Sequence, residues 1–339
     1  MTHRRILKAF PVAVALLAFA AGVRAQSPAA ASTGTEAAPQ LAILDTDIGD
    51  DIDDAFALAL ALRSPELKLI GITTAFGDTE LRARLLDRYL DAVGSKIPVA
   101  TGVPTGHDNV FTQAAYARRA PRFSALDPTK EPKHPGGVEF LLAQIRAHPG
   151  QITLIAIGPE NNIQAAIEAD PATFRKLKRV VLMGGSILRG YDGRNGERRE
   201  PDPEWNINRD PAGLRALLAS GVPVFMMPLD STQVHLETKE REAIFAHGSP
   251  LTDQLTLLYH QWMAGTDGHP ATPTLFDPVA VAYAARPELC PMTPMRIEVD
   301  DKGYTRGVPG EPNAQVCLES NEKGFLEMLV SRVTADPAP

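Results

Sequence analysis

Short, nearly continuous runs of apolar residues alternate along the chain with longer stretches whose apolar positions recur every three or four residues. The runs are Leu41–Leu44, Leu67–Thr73, Ile152–Ile157, Val180–Met183 and Val224–Met227, the pattern of strands buried on both faces. Between them, Asp53–Arg63, Glu80–Val93, Gly137–Ala147, Asn161–Ala169 and Pro211–Ala219 carry the helical period. Strands alternating with helices predict an α/β fold, a mostly parallel central sheet flanked by helices, as a single domain over residues 40–335.

The N-terminus stands outside that pattern. Arg4, Arg5 and Lys8 precede an apolar stretch from Ala9 to Val23, and Val23-Arg24-Ala25 offers a signal-peptidase site. Residues 1–25 therefore read as a signal peptide cleaved after Ala25, which predicts a periplasmic or secreted protein. A short membrane anchor is the alternative, against which the stretch falls short of the ~20 apolar residues of a spanning helix. Residues 26–39, rich in Ala, Ser, Thr and Pro, read as a flexible leader. Export would permit a structural disulfide between Cys290 and Cys317, although two separate buried thiols fit the sequence equally well.

Composition narrows the function. With 44% hydrophobic and 22% charged residues the chain is too apolar for disorder, and two cysteines are too few for a disulfide-stapled scaffold. A net charge of −7 argues against nucleic acid or an anionic membrane as partner. Loss of four basic residues and no acid with the signal leaves 30 bases against 41 acids, a net of −11. Small molecules and cations fit that balance.

Ligands of parallel sheets bind beyond the carboxyl ends of the strands, and there this chain places Asp45 to Asp54, Phe76-Gly77-Asp78, Gly158 to Asn162, Met183 to Ser186 and Pro228 to Thr232. Six of the ten residues from Asp45 to Asp54 are aspartates. A helix N-terminus favours a carboxylate by perhaps 0.3 to 1 kcal/mol, too little to neutralise six. Two like charges 4 Å apart repel by about 4 kcal/mol at an effective dielectric of 20, so the cluster needs protonation or a bound hard cation. An exposed acidic capping loop is the bland alternative, which the adjoining apolar strand and helix oppose.

The stretch LDTDIGDDIDDAFAL (Leu44 to Leu58) resembles the N-terminal signature of the nucleoside hydrolases, calcium-dependent enzymes that cleave the N-glycosidic bond of ribonucleosides. Further resemblance follows in order in LKLIGITTAFGD (Leu67 to Asp78), IAIGPENNI (Ile155 to Ile163), VVLMGGS (Val180 to Ser186), EWNINRDP (Glu204 to Pro211), PLDST (Pro228 to Thr232) and LFDPVAVA (Leu275 to Ala282). The resemblance implies a Rossmann-like nucleoside hydrolase fold and a homodimer or homotetramer. It implies Ca²⁺ held by Asp47, Asp54, the Ile157 main-chain carbonyl and Asp277, with Asp47 the general base on the calcium-bound water. Asp53, Asp78, Met183, Glu204, Asn206 and Phe276 would then line the substrate site, and the products would be ribose and free base. Two of these residues also have plainer readings: Met183, like Trp205, as core, and Asp277, with Pro278 behind it, as N-cap and first position of a helix.

Three departures from the family pattern stand out. The acidic loop is two residues longer than usual, which makes Asp50 or Asp51 an extra metal ligand or a support behind the ligands. Asp78 stands where an Asn is usual. Phe276 stands where many members carry a His that protonates the departing base. Leaving-group activation must then come from elsewhere, with His235, Tyr259, His260, Tyr191, Trp262 and His269 as candidates by residue type. The insertion Leu188 to Pro203 could contribute Tyr191, Arg194 and Asn195 to a base pocket, and Asp230 either caps a helix or approaches the ribose. The same residues leave open a non-catalytic calcium and ribose binder, or a DxD phosphohydrolase with Asp45 as nucleophile.

Overall fold

The computed structural model describes Met1 and residues 38–106, 111–118, 133–193, 197–265 and 271–335. Apart from Met1 and residues 38 and 39, the expected signal and leader lie outside the described residues. The residues from Ala38 onward form one compact unit.

Its sheet is built from β1 (Gln40–Thr46), β2 (Leu67–Thr74), β3 (Val99–Thr101), β4 (Thr153–Ala156), β5 (Arg179–Met183), β6 (Val224–Met227), β7 (Met292–Val299), β8 (Thr305–Val308) and β9 (Ala314–Cys317). The order across the sheet is β3-β2-β1-β4-β5-β6-β9-β7-β8. The pairings from β3 to β9 are parallel, whereas β7 runs antiparallel to both β9 and β8. Each parallel strand serves two cores in alternation, as the two-residue period of a strand requires. Ala42, Leu44, Ile155, Val181 and Met227 face one cluster, while Ile43, Leu154, Val180, Leu182 and Met226 face the other. That is why the strands read as continuous apolar runs rather than alternating ones.

Helices α1 (Asp53–Leu62), α2 (Thr79–Ala92), α3 (Ala114–Arg118), α4 (Gly137–Ala147), α5 (Asn161–Ala169), α6 (Pro171–Phe174), α7 (Trp205–Arg209), α8 (Pro211–Ala219), α9 (Leu229–Thr232), α10 (Thr238–Phe245), α11 (Pro250–Gly265), α12 (Phe276–Ala285) and α13 (Glu322–Val333) complete the unit. Leu141, Ile145, Ile163 and Leu214 of α4, α5 and α8 belong to one core, and α1, α12 and α13 to the other. Along α1 every residue from Asp53 to Ala61 is buried, and all of α12 from Asp277 to Ala285 is buried with it. Small alanines on α1 let these two helices pack side by side. The consequence for the site is direct, since both start with aspartate in the first turn.

The sequence pattern does not announce β3, β7, β8 or β9. β3 has three residues, and β7 carries one fully buried position, Ile297, so neither shows a continuous apolar run. Asp277, expected as the N-cap of a helix with Pro278 at its first position, lies instead inside the first turn, because the helix starts at Phe276 with Leu275 as its cap. Cys290 and Cys317 are bridged, with Cα atoms 5.7 Å apart, which fastens the end of β9 to the turn after α12.

Candidate active site

Beyond the strand ends, a cavity of about 290 Å³ is lined by Asp47, Asp50, Asp51, Asp53, Asp54, Ile157, Met183, Tyr191, Glu204, Trp205, Asn206, Phe276 and Asp277. Seven of these carry carboxylates. The packing of α1 on α12 brings two helix N-termini together, so that oxygens of Asp53, Asp54 and Asp277 all lie within 4.8 Å of one another. Asp53 Oδ2 accepts the Asp277 main-chain N–H at 3.1 Å, and Asp54 accepts the Thr46 hydroxyl. Burial, reinforced by the charges of their neighbours, holds all three carboxyls well above the ordinary carboxylate range. Burial likewise raises Asp47 to about 7, an effect the Arg82 guanidinium opposes and Asp50 and Glu204 reinforce. Gly158, next to the Ile157 carbonyl, admits this packing: a Cβ there would meet Asp47 Oδ1 at 2.8 Å.

Arg82 of α2 organises the lengthened acidic loop. Buried at 1% exposure, it donates to the carbonyls of Asp47, Ile48 (2.9 Å) and Phe76 (2.8 Å), and its other nitrogen pairs with Asp50 Oδ2 at 2.9 Å. Thr112 donates to the Asp50 carbonyl and Gln113 to that of Asp51. Asp51 caps its own turn through the Ile52 N–H, and burial raises it to about 6. The two supernumerary residues are thus gripped by side chains that sequence reading passed over. The available signal was Arg82 standing with Leu85, Leu86 and Tyr89 at i, i+3, i+4 and i+7, a cation within the buried stripe of α2. Phe76, whose carbonyl Arg82 holds, has a left-handed backbone (φ 57°) rare for a non-glycine residue, and its ring edges onto Trp205.

Glu204 caps α7, accepting from Asn206 N at 2.9 Å and Ile207 N at 3.2 Å, and it also takes the Gly185 N–H at 3.0 Å. The EWN triplet therefore has a structural purpose as well as a place in the cavity wall. Burial raises the Glu204 carboxyl to about 7. The Asn206 amide donates to the carbonyls of Met183 (3.1 Å) and Ile157 (3.4 Å), tying the ends of β4 and β5 together.

Several expected residues lie elsewhere. Asp78 is exposed and caps α2 by accepting Leu81 N, so it does not reach the cavity. Asp230 accepts the main-chain N–H groups of Ile187 and Leu188, which anchors the loop after β5 instead of facing a sugar. Asp45 is inside β1, bonded to Thr73 and to Asn162 (2.7 Å), and is absent from the lining, which removes it as a nucleophile. Of the leaving-group candidates, Tyr191 lines the cavity. His235 pairs with Thr274, Tyr259 stacks among Phe245, His260 and Trp262, and His269, Arg194 and Asn195 lie outside the described residues.

An oxygen-rich acidic cluster and an aromatic wall thus meet in one cavity beyond the ends of a mostly parallel sheet, and likeness to known proteins says which class of enzyme carries such a site. The chain belongs to the nucleoside hydrolases: the family model of the inosine-uridine preferring nucleoside hydrolases matches residues 42–327. It is 32% identical over 321 residues to the pyrimidine-specific ribonucleoside hydrolase RihA of Citrobacter koseri, covering 86% of this chain and 97% of that protein. The corresponding protein of Escherichia coli is 31% identical over 319 residues, with coverage of 86% and 97%. Among solved structures, the plant nucleoside hydrolase PpNRh1 superposes with a TM-score of 0.73 at 26% identity, covering 88% of this chain and all of that one. A purine-preferring ribonucleoside hydrolase from Gardnerella vaginalis gives 0.71 at 26% identity, over 87% and 98% of the two chains.

Proposed function

We propose that this protein is an exported, Ca²⁺-dependent hydrolase that splits ribonucleosides into ribose and free base. The observation that carries the reading is the buried trio Asp53, Asp54 and Asp277, whose oxygens converge at the floor of the cavity that Asp47, Glu204 and Asn206 also line. Buried carboxylates this close demand a cation or shared protons, and an all-oxygen donor set suits a hard divalent ion. Asp47, Asp54, Asp277 and the Ile157 carbonyl would hold it, with Asp53 closing the cluster. When bound, the cation supplies charge neutralisation and Lewis acidity toward water.

The chain's own residues do the rest. Asp47 orients the attacking water and takes its proton, a task suited to a carboxylate that lines the cavity beside Asp54 and Asp277. Glu204, Asn206 and Asp53 bind the ribose hydroxyls, and Met183 lies beneath the ring. Fixing the sugar in this way favours the flattened, oxocarbenium-like geometry through which glycoside cleavage passes.

Reducing-sugar release from uridine, cytidine, inosine, adenosine and guanosine, before and after EDTA and with Ca²⁺ restored, tests the proposal. Turnover that EDTA abolishes and Ca²⁺ returns is expected; turnover indifferent to EDTA removes the metal, and none with any nucleoside removes the activity. The Cys290–Cys317 bridge supports export to an oxidising compartment, and a mature N-terminus at Gln26 would be its direct sign. A homodimer or homotetramer, readable by light scattering, completes the reading.

A further inference from the structure

The cavity lining combines two chemistries, seven carboxylates and the rings of Tyr191, Phe276 and Trp205, with Trp205 and Phe276 directly adjoining Glu204 and Asp277 along the chain. A polyhydroxylated sugar matches the carboxylates and a flat heteroaromatic base the rings, so the bond to be broken lies where the two kinds of group meet.

At that junction the supply of hydrogen-bond donors is short. Ionised carboxylates only accept, and both hydrogens of the Asn206 amide face main-chain carbonyls. Tyr191 differs. Its phenol oxygen accepts the Trp205 main-chain N–H at 2.9 Å, leaving the hydroxyl hydrogen without an acceptor among the described residues. Its ring packs edge-on against Phe276, with centroids 6.1 Å apart.

The segment carrying Tyr191 is built to hold it. Gly190 N donates to Arg199 O at 3.0 Å and Gly193 N to Glu197 O at 2.8 Å, tying the stretch 190–193 to 197–199. Tyr191 N is held by Asp202 and Asp192 N by Gln233, while Arg189 pairs with Asp192. The loop therefore presents one side chain in a fixed place, the usual requirement for a group that must meet a reacting atom.

We propose that the Tyr191 hydroxyl is the donor that stabilises the departing base, and so a catalytic residue for this reaction. The inference rests on the hydrolase reading above. As the C1′–N bond breaks, its electron pair passes to the base nitrogen or to a ring carbonyl conjugated with it, and Tyr191 donates a hydrogen bond to that atom. The water oxygen bonds C1′ and one of its protons passes to Asp47. Asp47 returns that proton to solvent, and solvent protonates the base. Burial and the Glu204 charge keep the phenol protonated, which suits a donor of hydrogen bonds rather than a transferring acid.

Leaving-group dependence tests this. In the Ca²⁺-loaded full chain, kcat/KM is measured for uridine, inosine and 4-nitrophenyl β-D-ribofuranoside, whose nitrophenolate departs without help. Tyr191→Phe should lose about 10- to 100-fold on the two nucleosides, the range of a hydrogen bond to developing charge, and under about threefold on the nitrophenyl riboside. Trp205→Phe, which removes the neighbouring indole N–H, should lower all three substrates by one common factor. An equal loss on all three in Tyr191→Phe, no loss on the nucleosides, or leaving-group dependence in Trp205→Phe instead would each overturn the proposal. A wild-type protein that cleaves only the nitrophenyl riboside also overturns it, because no base-assisting group is then at work. Wild-type inactivity on all three overturns the hydrolase reading itself.

Discussion

Asp53, Asp54 and Asp277 occupy the first turns of two helices buried along all but one residue each, whereas Tyr191 and Trp205 come from an inserted loop and a five-residue helix, and Trp205 is 39% exposed. The floor is held from several sides, since the packing of α1 on α12 places Asp53, Asp54 and Asp277, the Thr46 hydroxyl holds Asp54, and the Arg82 fork holds the Asp47 and Ile48 carbonyls and the Asp50 carboxylate. The wall depends on a handful of loop bonds and the ring contacts of Phe76, Trp205, Tyr191 and Phe276. The difference separates bond-breaking chemistry, which needs positions good to a fraction of an ångström, from recognition of the base, which can be retuned on loops without disturbing a core.

Substitutions can break that contrast at either end. The largest effect belongs to the floor: Asp47→Ala should lower kcat by about 10² to 10⁴-fold, the usual worth of a positioned general base, with a melting temperature near wild type. Activity within tenfold of wild type would detach Asp47 from the reaction. Arg82→Met comes next, because it takes a buried donor from the carbonyls of Asp47, Ile48 and Phe76 and removes the ion pair with Asp50. A loss of about 3 to 5 kcal/mol in denaturant unfolding is expected, and a loss below about 1 kcal/mol would show that the floor stands without its internal cation.

On the wall, Trp205→Ala should raise KM for nucleosides about tenfold, near 1.4 kcal/mol, with kcat and melting almost unchanged. A fall in kcat matching that of Asp47→Ala would erase the distinction between floor and wall. The smallest effect comes from outside the cavity. His134 bridges Asp87 at 3.0 Å and Glu80 at 3.5 Å on α2, the helix that carries Arg82, and its bond to Asp87 raises its pKa above the usual 6.5. A histidine raised on folding stabilises fully below its unfolded pKa of about 6.5 and loses that contribution as pH climbs through the folded value. The stability gap between wild type and His134→Gln should therefore be wider at about pH 5.5 than at about pH 8.5, and an equal gap at both would remove His134 from the support of α2.

Much of the frame was legible because its signals are local. Gly137–Ala147, Asn161–Ala169 and Pro211–Ala219 are helices with the bounds their periodicity implies, and Val224–Met227 is a strand as its apolar run implies. The edge strands were not, since half-exposed pairing partners need no apolar run. At the site, the acidic loop declared itself by density of charge, yet its carboxylates look alike in sequence. Whether Asp45, Asp78 or Asp230 turns toward the cavity, a neighbouring strand or a main-chain N–H is decided by tertiary neighbours such as Asn162, Leu81 and Ile187. Arg82 went unnoticed for the opposite reason, because a lone arginine in an amphipathic helix ordinarily faces solvent.

The position of β9 sets an order of assembly. Residues 314–317 lie among the last elements of the chain, yet they pair between β6 and β7 in the interior of the sheet. During synthesis the β3-to-β6 half of the sheet can pair while the chain is still growing, whereas both cores await residues beyond 290. The remaining edge must wait until nearly the whole polypeptide has emerged, so that β6 stays an open strand for the interval. A chain truncated before residue 314 would keep that edge permanently exposed, a ready template for pairing with another molecule.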